Sequence, residues 1–196
     1  MPRPSTQKAA LRRALLSARD ALSADARASL DRRISERLLA LSPLQTARAV
    51  LGYLSFGSEF DTQAVLAHLL GRRARVALPK VNRQSKRLEL YFVNDLRTDT
   101  APGMWGIREP DPARCVAADL HAIELVLAPG VAFTARGERL GYGGGYYDKL
   151  LGGWHPRPTV IAAAYDAQLV DALPTNDDDV PVDVVVTETA LFTRSA

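Results

Sequence analysis

The sequence IELVLAPGVAFTARGERLGYGGGYYD, residues 123–148, decides the fold. It begins with an apolar run, Ile123–Ala128, that is typical of a buried strand and is stopped by Pro129 and Gly130. It ends in a glycine-rich loop, and a helix is predicted directly after that loop, near Tyr146–Leu151. A buried strand, a loop and a helix in this order indicate an α/β protein.

The alternation of strands and helices continues on both sides of this stretch. Further strands are predicted at Ala47–Ser55, Arg75–Val81, Leu88–Val93, Thr159–Tyr165 and Val182–Thr187. Helices are predicted at Thr6–Leu22, from Ser23 to Leu41 and from Thr62 to Leu70, with Ser23 and Thr62 as N-caps and Pro43 and Gly71 as stops. This pattern predicts a largely parallel sheet with helices on both faces.

Ligands of such sheets collect at the carboxyl ends of the strands. The loops after Leu54, Ala128 and Tyr165 are therefore the places where a site is expected. With 196 residues and no linker or repeat, the chain is predicted to form one domain, 1–196, that includes the N-terminal helices of residues 6–42.

Composition narrows the classes of partner. The net charge of +3 is spread along the chain, which favours small anionic ligands over nucleic acid. No apolar stretch is long enough to cross a membrane.

Cys115 is the only cysteine, so an internal disulfide and a thiolate zinc site are excluded, and a reducing, cytoplasmic location is expected. The first residues are rich in arginine, as in transit peptides, but we expect them to remain in the working protein.

The segment from Arg139 to Asp148, RLGYGGGYYD, is the sharpest candidate for chemistry. Its four glycines, Gly141, Gly143, Gly144 and Gly145, allow backbone N–H groups to approach a phosphate. A guanidinium precedes them, and a carboxylate suited to Mg²⁺ follows. A flexible surface turn is the alternative, although the flanking Tyr146 and Tyr147 are unlike a linker.

Several familiar site types lack support. The spacing Gly-x-Gly-Gly-Gly is not the dinucleotide-binding fingerprint, and no Gly-Lys-Ser/Thr follows as in a Walker A loop. A Gly-x-Ser-x-Gly elbow, a His-Glu-x-x-His motif and a cysteine–histidine pair are all missing from the sequence. The motifs of hydrolases and metalloproteases are therefore not present.

Two further segments carry charges that suit a polyphosphate or a metal. Lys8 and Arg12 lie four residues apart on one helical face and can grip phosphates, unless they form only a solvated basic face. The acidic turn Asn176-Asp-Asp-Asp179 can hold Mg²⁺, although an exposed acidic turn is the commoner explanation.

Two loops offer contacts to an organic ligand. In Gly57-Ser-Glu-Phe-Asp-Thr62, Asp61 and Thr62 are expected to begin and cap the following helix. Glu59 has no such structural role, so it is the candidate ligand contact; the alternative is an exposed glutamate. In the loop of residues 102–110, the Trp105 ring can pack against an aromatic ligand. The alternative is that it only packs the loop against the hydrophobic core.

Taken in order, these segments resemble one known family. Pro129-Gly-Val-Ala-Phe133 followed by residues 139–148 is similar to the signature of the 5-formyltetrahydrofolate cyclo-ligases, also called methenyltetrahydrofolate synthetases. The Lys8–Arg12 helix, the loop with Glu59, Leu78-Pro-Lys80 and Gly106-Ile-Arg-Glu-Pro110 resemble its other motifs in the same order. The resemblance covers nearly the whole chain, and the glycine–tyrosine–aspartate motif is its specific part.

The resemblance implies a three-layer α/β/α fold like that of the NagB/RpiA/CoA-transferase group. It implies a site for ATP, one for the folate and one for Mg²⁺. The predicted ATP contacts are Lys8, Ala9, Ala10, Leu11, Arg12, Arg139, Gly141, Gly143, Gly144, Gly145 and Tyr147. The predicted folate contacts are Leu54, Glu59, Trp105, Tyr142, Gly143, Gly144, Gly145 and Tyr146. Asp148 and Asp179 are the predicted metal ligands, and Arg139 and Asp148 are the predicted catalytic pair.

The implied reaction is the ATP- and Mg²⁺-dependent conversion of 5-formyltetrahydrofolate to 5,10-methenyltetrahydrofolate, with release of ADP and phosphate. Two alternatives stay open: a divergent paralogue that activates another substrate with ATP, and a folate- or nucleotide-binding protein without turnover. Some relatives carry lysine at the position of Gly144. No nucleic acid or membrane partner is expected, and the protein is expected to be a monomer or a weak homo-oligomer.

Overall fold

A computed structural model describes residues 4–194, and of Pro4, Ser5 and Trp105 it describes the backbone only. The contact predicted for the Trp105 side chain therefore lies outside the described residues. The helices are α1 Pro4–Asp20, α2 Ala24–Leu39, α3 Ser42–Thr46, α4 Gln63–Gly71 and α5 Tyr146–Gly152. Within residues 4–194, none of the helices combines the length and the apolarity needed to cross a membrane.

The strands alternate with these helices. They are β1 Ala49–Leu51, β2 Arg75–Asn82, β3 Arg87–Val93, β4 Thr100–Pro102, β5 Arg108–Pro110, β6 Val116–Ala117, β7 Leu125–Leu127, β8 Ala132–Phe133, β9 Arg139–Leu140, β10 Thr159–Ala163, β11 Val184–Val186 and β12 Leu191–Thr193. Eight of them form one sheet in the order β12-β11-β10-β7-β1-β2-β3-β6. The strands from β11 to β2 in this order are parallel, whereas β3 and β12 pair antiparallel with their neighbours β2 and β11.

Alternate side chains of the central strands fill two cores. Val50 faces the core that includes Ile34 and Leu38 of α2 and Leu66 of α4. Its neighbour Leu51 faces the opposite core, which includes Leu151 of α5. Because successive side chains of a strand point to opposite faces, both faces of the sheet are covered. The predicted three-layer α/β/α fold is confirmed.

The N-terminal helix packs against a small separate cluster. Leu11 and Leu15 of α1 contact Ala132 and Leu140, which belong to the antiparallel hairpin of β8 and β9. This hairpin follows β7 and returns the chain to the carboxyl edge of the sheet, where the glycine-rich loop begins. Neither the hairpin nor its pairing with α1 was predicted, because two-residue strands carry no readable periodicity.

The ends of the helices differ from the predictions in three details. Helix α2 ends at Leu39, and Pro43 instead sits in the first turn of α3, where its missing N–H costs nothing. Thr62 is the N-cap residue of α4, as predicted, but its side chain does not cap the helix. Its hydroxyl donates to Tyr53 O at 2.5 Å, and the carboxylate of Asp61 accepts from the first helical N–H. Gly71 is the last residue of α4, and the left-handed turn falls on Arg73 at φ 63°.

The predicted strand Ala47–Ser55 is also too long. Strand β1 covers only Ala49–Leu51, because the chain leaves the sheet there and forms the loop that carries Glu59. The shorter strand thus places that loop at the carboxyl edge of the sheet, where a ligand site was expected.

Candidate active site

A cleft of about 1450 Å³ opens at the carboxyl edge of the sheet. It brings together most of the predicted site residues, which come from four separate segments of the chain. The predicted residues that line it are Lys8, Arg12, Leu54, Glu59, Arg139, Gly141, Tyr142, Gly143, Gly144, Gly145, Tyr146, Tyr147, Asp148 and Asp179. Of the other predicted contacts, Ala9 and Ala10 are exposed, and Leu11 packs against the hairpin.

The glycine-rich loop needs glycine for its backbone at two of its four glycine positions. Gly143 has φ 105° and Gly145 has φ 65°, in the left-handed region that disfavours side chains. Gly145 is the N-cap of α5. Nε of Arg12 donates to Gly141 O at 2.7 Å, which fastens α1 to the loop.

Gly144 is required for a different reason. A Cβ added there would lie 2.7 Å from two ring carbons of Tyr146, so the ring occupies the space of a side chain. Because the ring lines the cleft, the glycine permits an aromatic wall at this point.

Arg139 and Asp148 form a buried ion pair at the wall of the cleft. Nη2 of Arg139 donates to Oδ1 of Asp148 at 2.6 Å, and the guanidinium side chain is only 3% exposed. The same Oδ1 accepts from Val180 N at 3.2 Å, which joins α5 to the acidic turn. Asp148 lies in the first turn of α5, but its side chain makes no helix cap. Nε of Arg139 is buried and has no hydrogen-bond partner among the described residues.

Lys8 and Asp179 form a second ion pair. Nζ of Lys8 lies 2.5 Å from Oδ2 of Asp179 and 2.6 Å from Oδ1 of Asn176. Asp177 and Asp178 are exposed, so Asp179 is the aspartate of this turn that engages the cation. Basic and acidic residues predicted for different ligands thus neutralise each other in this structure.

The donor set suits Mg²⁺ only in combination with a ligand. Residues 4–194 contain no cluster of three or more His, Cys, Asp or Glu side chains arranged to hold a metal. Mg²⁺ is commonly held by one or two carboxylates together with substrate phosphates and waters. Oδ2 of Asp148 and Oδ1 of Asp179 accept no hydrogen bond from described residues, so each carboxylate has an oxygen to offer.

Glu59 lies at the other end of the cleft and is 8% exposed. Its Oε1 accepts from the Tyr142 hydroxyl at 2.6 Å, and its Oε2 accepts from Phe56 N at 3.0 Å. Burial raises the pKa of Glu59, and the bond from Tyr142 opposes that rise. Burial and the nearby Glu59 carboxylate raise the pKa of Tyr142, so its hydroxyl remains a donor at neutral pH. The Phe56 and Tyr142 rings pack with centroids 5.1 Å apart.

The sequence reading missed Arg19. This residue is 3% exposed, and it donates to Tyr142 and to Ser58, on both sides of Glu59. A signal was available, because Lys8, Arg12 and Arg19 are spaced by four and seven residues and so share one helical face. Tyr147 was predicted as a contact, but the burial of its hydroxyl was not. That hydroxyl has no hydrogen-bond partner in the part of the chain that the structure describes, and burial raises its pKa.

Comparisons with known proteins find relatives that match most of the chain. The 5-formyltetrahydrofolate cyclo-ligase from Escherichia coli K12 is 30% identical over 175 residues, which are 89% of this chain and 96% of the relative. The cyclo-ligase from Haemophilus influenzae is 31% identical over 78% of this chain and 83% of its own. The NMR structure of the 5,10-methenyltetrahydrofolate synthetase from Aquifex aeolicus aligns with TM-score 0.83 at 30% identity, covering 96% of this chain and 95% of its own.

The fold is that of an α/β protein, and the matched family makes it an enzyme of the ligase class. The sequence model of the 5-formyltetrahydrofolate cyclo-ligase family matches residues 4–188. The chain belongs to that family.

Proposed function

We propose that this enzyme uses ATP and Mg²⁺ to convert 5-formyltetrahydrofolate to 5,10-methenyltetrahydrofolate, with release of ADP and phosphate. One observation carries the proposal. A single cleft holds a glycine-rich loop with Lys8, Arg12 and Arg139 at one end and a buried carboxylate, Glu59, at the other. The names of the relatives support the folate substrate.

The cationic end suits the triphosphate of ATP. Lys8 and Arg139 are half-buried or buried cations that can exchange an aspartate for a phosphate oxygen. Backbone N–H groups of Gly143 to Gly145 lead into the first turn of α5 and add donors for the phosphates. Asp148 and Asp179 would hold Mg²⁺. When bound, the metal would neutralise part of the negative charge of the phosphates.

The Glu59 end suits the pterin ring. A carboxylate accepts hydrogen bonds from adjacent N–H groups, and the pterin ring of a tetrahydrofolate presents such groups on one edge. Leu54, Tyr142 and Tyr146 line the cleft nearby and offer apolar and aromatic surface to the flat ring. The predicted contact of Trp105 stays a prediction.

The protein's part in the reaction is to position and to stabilise charge. In the proposed sequence the formyl oxygen attacks the γ-phosphate and ADP leaves. N10 then adds to the activated carbon and loses its proton, and phosphate leaves that carbon to give the methenyl bridge. Lys8, Arg139 and the loop N–H groups stabilise charge on the phosphoryl group, and Glu59 orients the folate so that N10 can reach the carbon. No protein nucleophile is needed. The only cysteine of the sequence, Cys115, does not line this cleft, and partial burial raises the pKa of its thiol.

Location and assembly stay predictions. We propose a cytoplasmic enzyme, as expected from the sequence. A relative from Arabidopsis thaliana, 27% identical, carries a mitochondrial name, so relatives differ in this respect. The expected monomer or weak homo-oligomer can be checked by sedimentation.

The deciding experiment mixes purified protein with 5-formyltetrahydrofolate and Mg-ATP and follows the absorbance of the methenyl product and the release of ADP. Product is expected only when ATP and Mg²⁺ are both present, and chelation of Mg²⁺ should stop it. ATP hydrolysis stimulated by a different amide or acid would indicate a divergent paralogue. Tight binding of folate and ATP without ADP release would indicate a protein without turnover.

A further inference from the structure

One buried arginine links the N-terminal helix to both sides of Glu59. Nε of Arg19 donates to Oγ of Ser58 at 2.9 Å, and its Nη1 donates to the Tyr142 hydroxyl at 3.0 Å. These partners lie 39 and 123 residues away along the chain. The guanidinium therefore joins three segments: α1, the loop after β1 and the glycine-rich loop.

The guanidinium also fixes the direction of two hydroxyl groups. A hydroxyl has a single hydrogen, and a guanidinium can only donate. The Tyr142 oxygen accepts from Arg19, so its own hydrogen is available for Oε1 of Glu59, 2.6 Å away. In the same way Ser58 accepts from Arg19 and donates to the carboxylate of Asp20.

Glu59 depends on this arrangement for its charge. It forms no salt bridge with any described residue, and burial raises its pKa, while the hydrogen bonds from Tyr142 and Phe56 and the charge of Arg19 lower it. The other titratable or charged groups that face it from the surrounding elements are Tyr53, Tyr147, Tyr165, Asp31, Asp61 and Arg27. Arg27 is the cation of this set, and it donates to Leu22 O, whereas Arg19 donates to a hydrogen-bond partner of Glu59.

We propose that Arg19 is a positioning residue for the folate: it holds the Tyr142 hydroxyl and the Ser58 side of the loop so that the acceptor edge of Glu59 faces the pterin N–H groups. The inference rests on the proposed function. Arg19 does not line the cleft and acts through Tyr142 and Glu59. It therefore sets folate recognition and leaves the phosphate contacts unchanged.

The test compares Arg19→Met, Arg19→Lys and the control Arg13→Met, which changes an exposed arginine on the same helix. Michaelis constants for 5-formyltetrahydrofolate and ATP are measured across pH, and folate binding without ATP is followed by protein fluorescence. Arg19→Met should raise the folate constant about tenfold or more, the loss expected for a contact to a charged group. The ATP constant should change by less than about twofold.

The pH dependence separates positioning from general damage. Ionised Glu59 is required as an acceptor, so folate binding is lost as pH falls through its pKa. Removing the Arg19 charge raises that pKa further, so Arg19→Met should lose folate binding at a higher pH than the wild type does. Arg19→Lys keeps the positive charge, so it should lose folate binding at nearly the same pH as the wild type. Its Michaelis constant for folate should still be raised, because lysine lacks the planar guanidinium that donates to both Tyr142 and Ser58.

Each outcome decides something. The proposal is overturned if the wild type turns over and Arg19→Met equals Arg13→Met both in its Michaelis constant for folate and in the pH at which folate binding is lost. An equal rise of the Michaelis constants for folate and ATP, with no change in the pH at which folate binding is lost, also overturns it, because that result means general damage to the protein. If Arg19→Met does not fold, Arg19→Lys decides: a folate constant equal to that of the wild type refutes the role. A wild type without methenyl formation removes the proposed function itself.

Discussion

The two ends of the cleft treat charge in opposite ways. At the paired end, which we define as Lys8, Arg139, Asp148 and Asp179, each of these cations is neutralised by one of these acids. At the Glu59 end, which we define as Arg19, Glu59 and Tyr142, the acid has no salt bridge with a described residue and is held by neutral donors. The Glu59 end is thus arranged to receive a ligand as it stands, whereas the paired end must exchange partners.

The exchange has a consequence for binding at the paired end. A phosphate that takes Lys8 from Asp179 leaves a carboxylate without its cation, and Mg²⁺ supplies one. Conversely, a metal that takes Asp148 leaves Arg139 ready for phosphate. Each ligand removes the cost that the other would meet, so ATP and Mg²⁺ are expected to bind together more tightly than either binds alone.

The largest expected effect comes from breaking the paired end at Asp148. Asp148→Asn removes the charge for Mg²⁺ but keeps an oxygen that can accept from Arg139 and Val180 N. The turnover number should fall by about 10²–10³, by analogy with the loss of one donor to a transition state, and the Mg²⁺ requirement should rise. Folate binding should be unchanged.

Asp178→Asn is the matched control, because it changes an exposed acid of the same acidic turn. It should leave turnover nearly normal. Near-normal methenyl formation by a folded Asp148→Asn protein would contradict the metal assignment, whatever the control shows.

The next effect tests the Glu59 end. Glu59→Gln keeps the volume and the acceptor for Tyr142 but removes the charge and one acceptor oxygen. The Michaelis constant for folate should rise about 10- to 100-fold, and that for ATP should stay within about twofold. Asp61→Asn, in the same loop, should change neither, since asparagine also caps the start of α4. Equal shifts of both constants would remove Glu59 from the folate site.

A smaller effect is expected from Lys8→Met, which keeps the aliphatic stem and removes the cation next to Asp179. Because one charge-assisted contact to phosphate is lost, the ATP constant should rise about tenfold while the folate constant changes little. Arg13→Met controls for charge on α1. Calorimetry that finds equal ATP affinities for Lys8→Met and wild type would show that Lys8 serves only its ion pair.

The smallest effect concerns the wall between the two ends. Gly144→Ala puts a Cβ 2.7 Å from the Tyr146 ring, which must turn away. The folate constant should rise roughly threefold, the cost of a modest steric shift. Gly71→Ala, where no atom lies within 4 Å of the added Cβ, is the control. An unchanged folate constant in Gly144→Ala would mean that Tyr146 does not face the substrate.

The layers and the glycine-rich loop were predictable because their signals are local. The apolar run at Ile123–Ala128 and the glycines after Arg139 each fix their structure within a few residues. The ion pair between Lys8 and Asp179 spans 171 residues, and no local period encodes such a contact. The helical spacing of Arg19 from Lys8 and Arg12 was readable, but its burial depends on partners that only the complete fold brings to it.

Helix α1 contacts the acidic turn through Lys8, the glycine-rich loop through Arg12 and the Glu59 end through Arg19. This one helix of 17 residues therefore contacts both the paired end and the Glu59 end of the cleft. Because the same helix bonds to both ends of the cleft, binding at one end is expected to be linked to binding at the other. Order of addition should then be free, and the apparent affinity for each substrate should increase with the concentration of the other, as linkage requires.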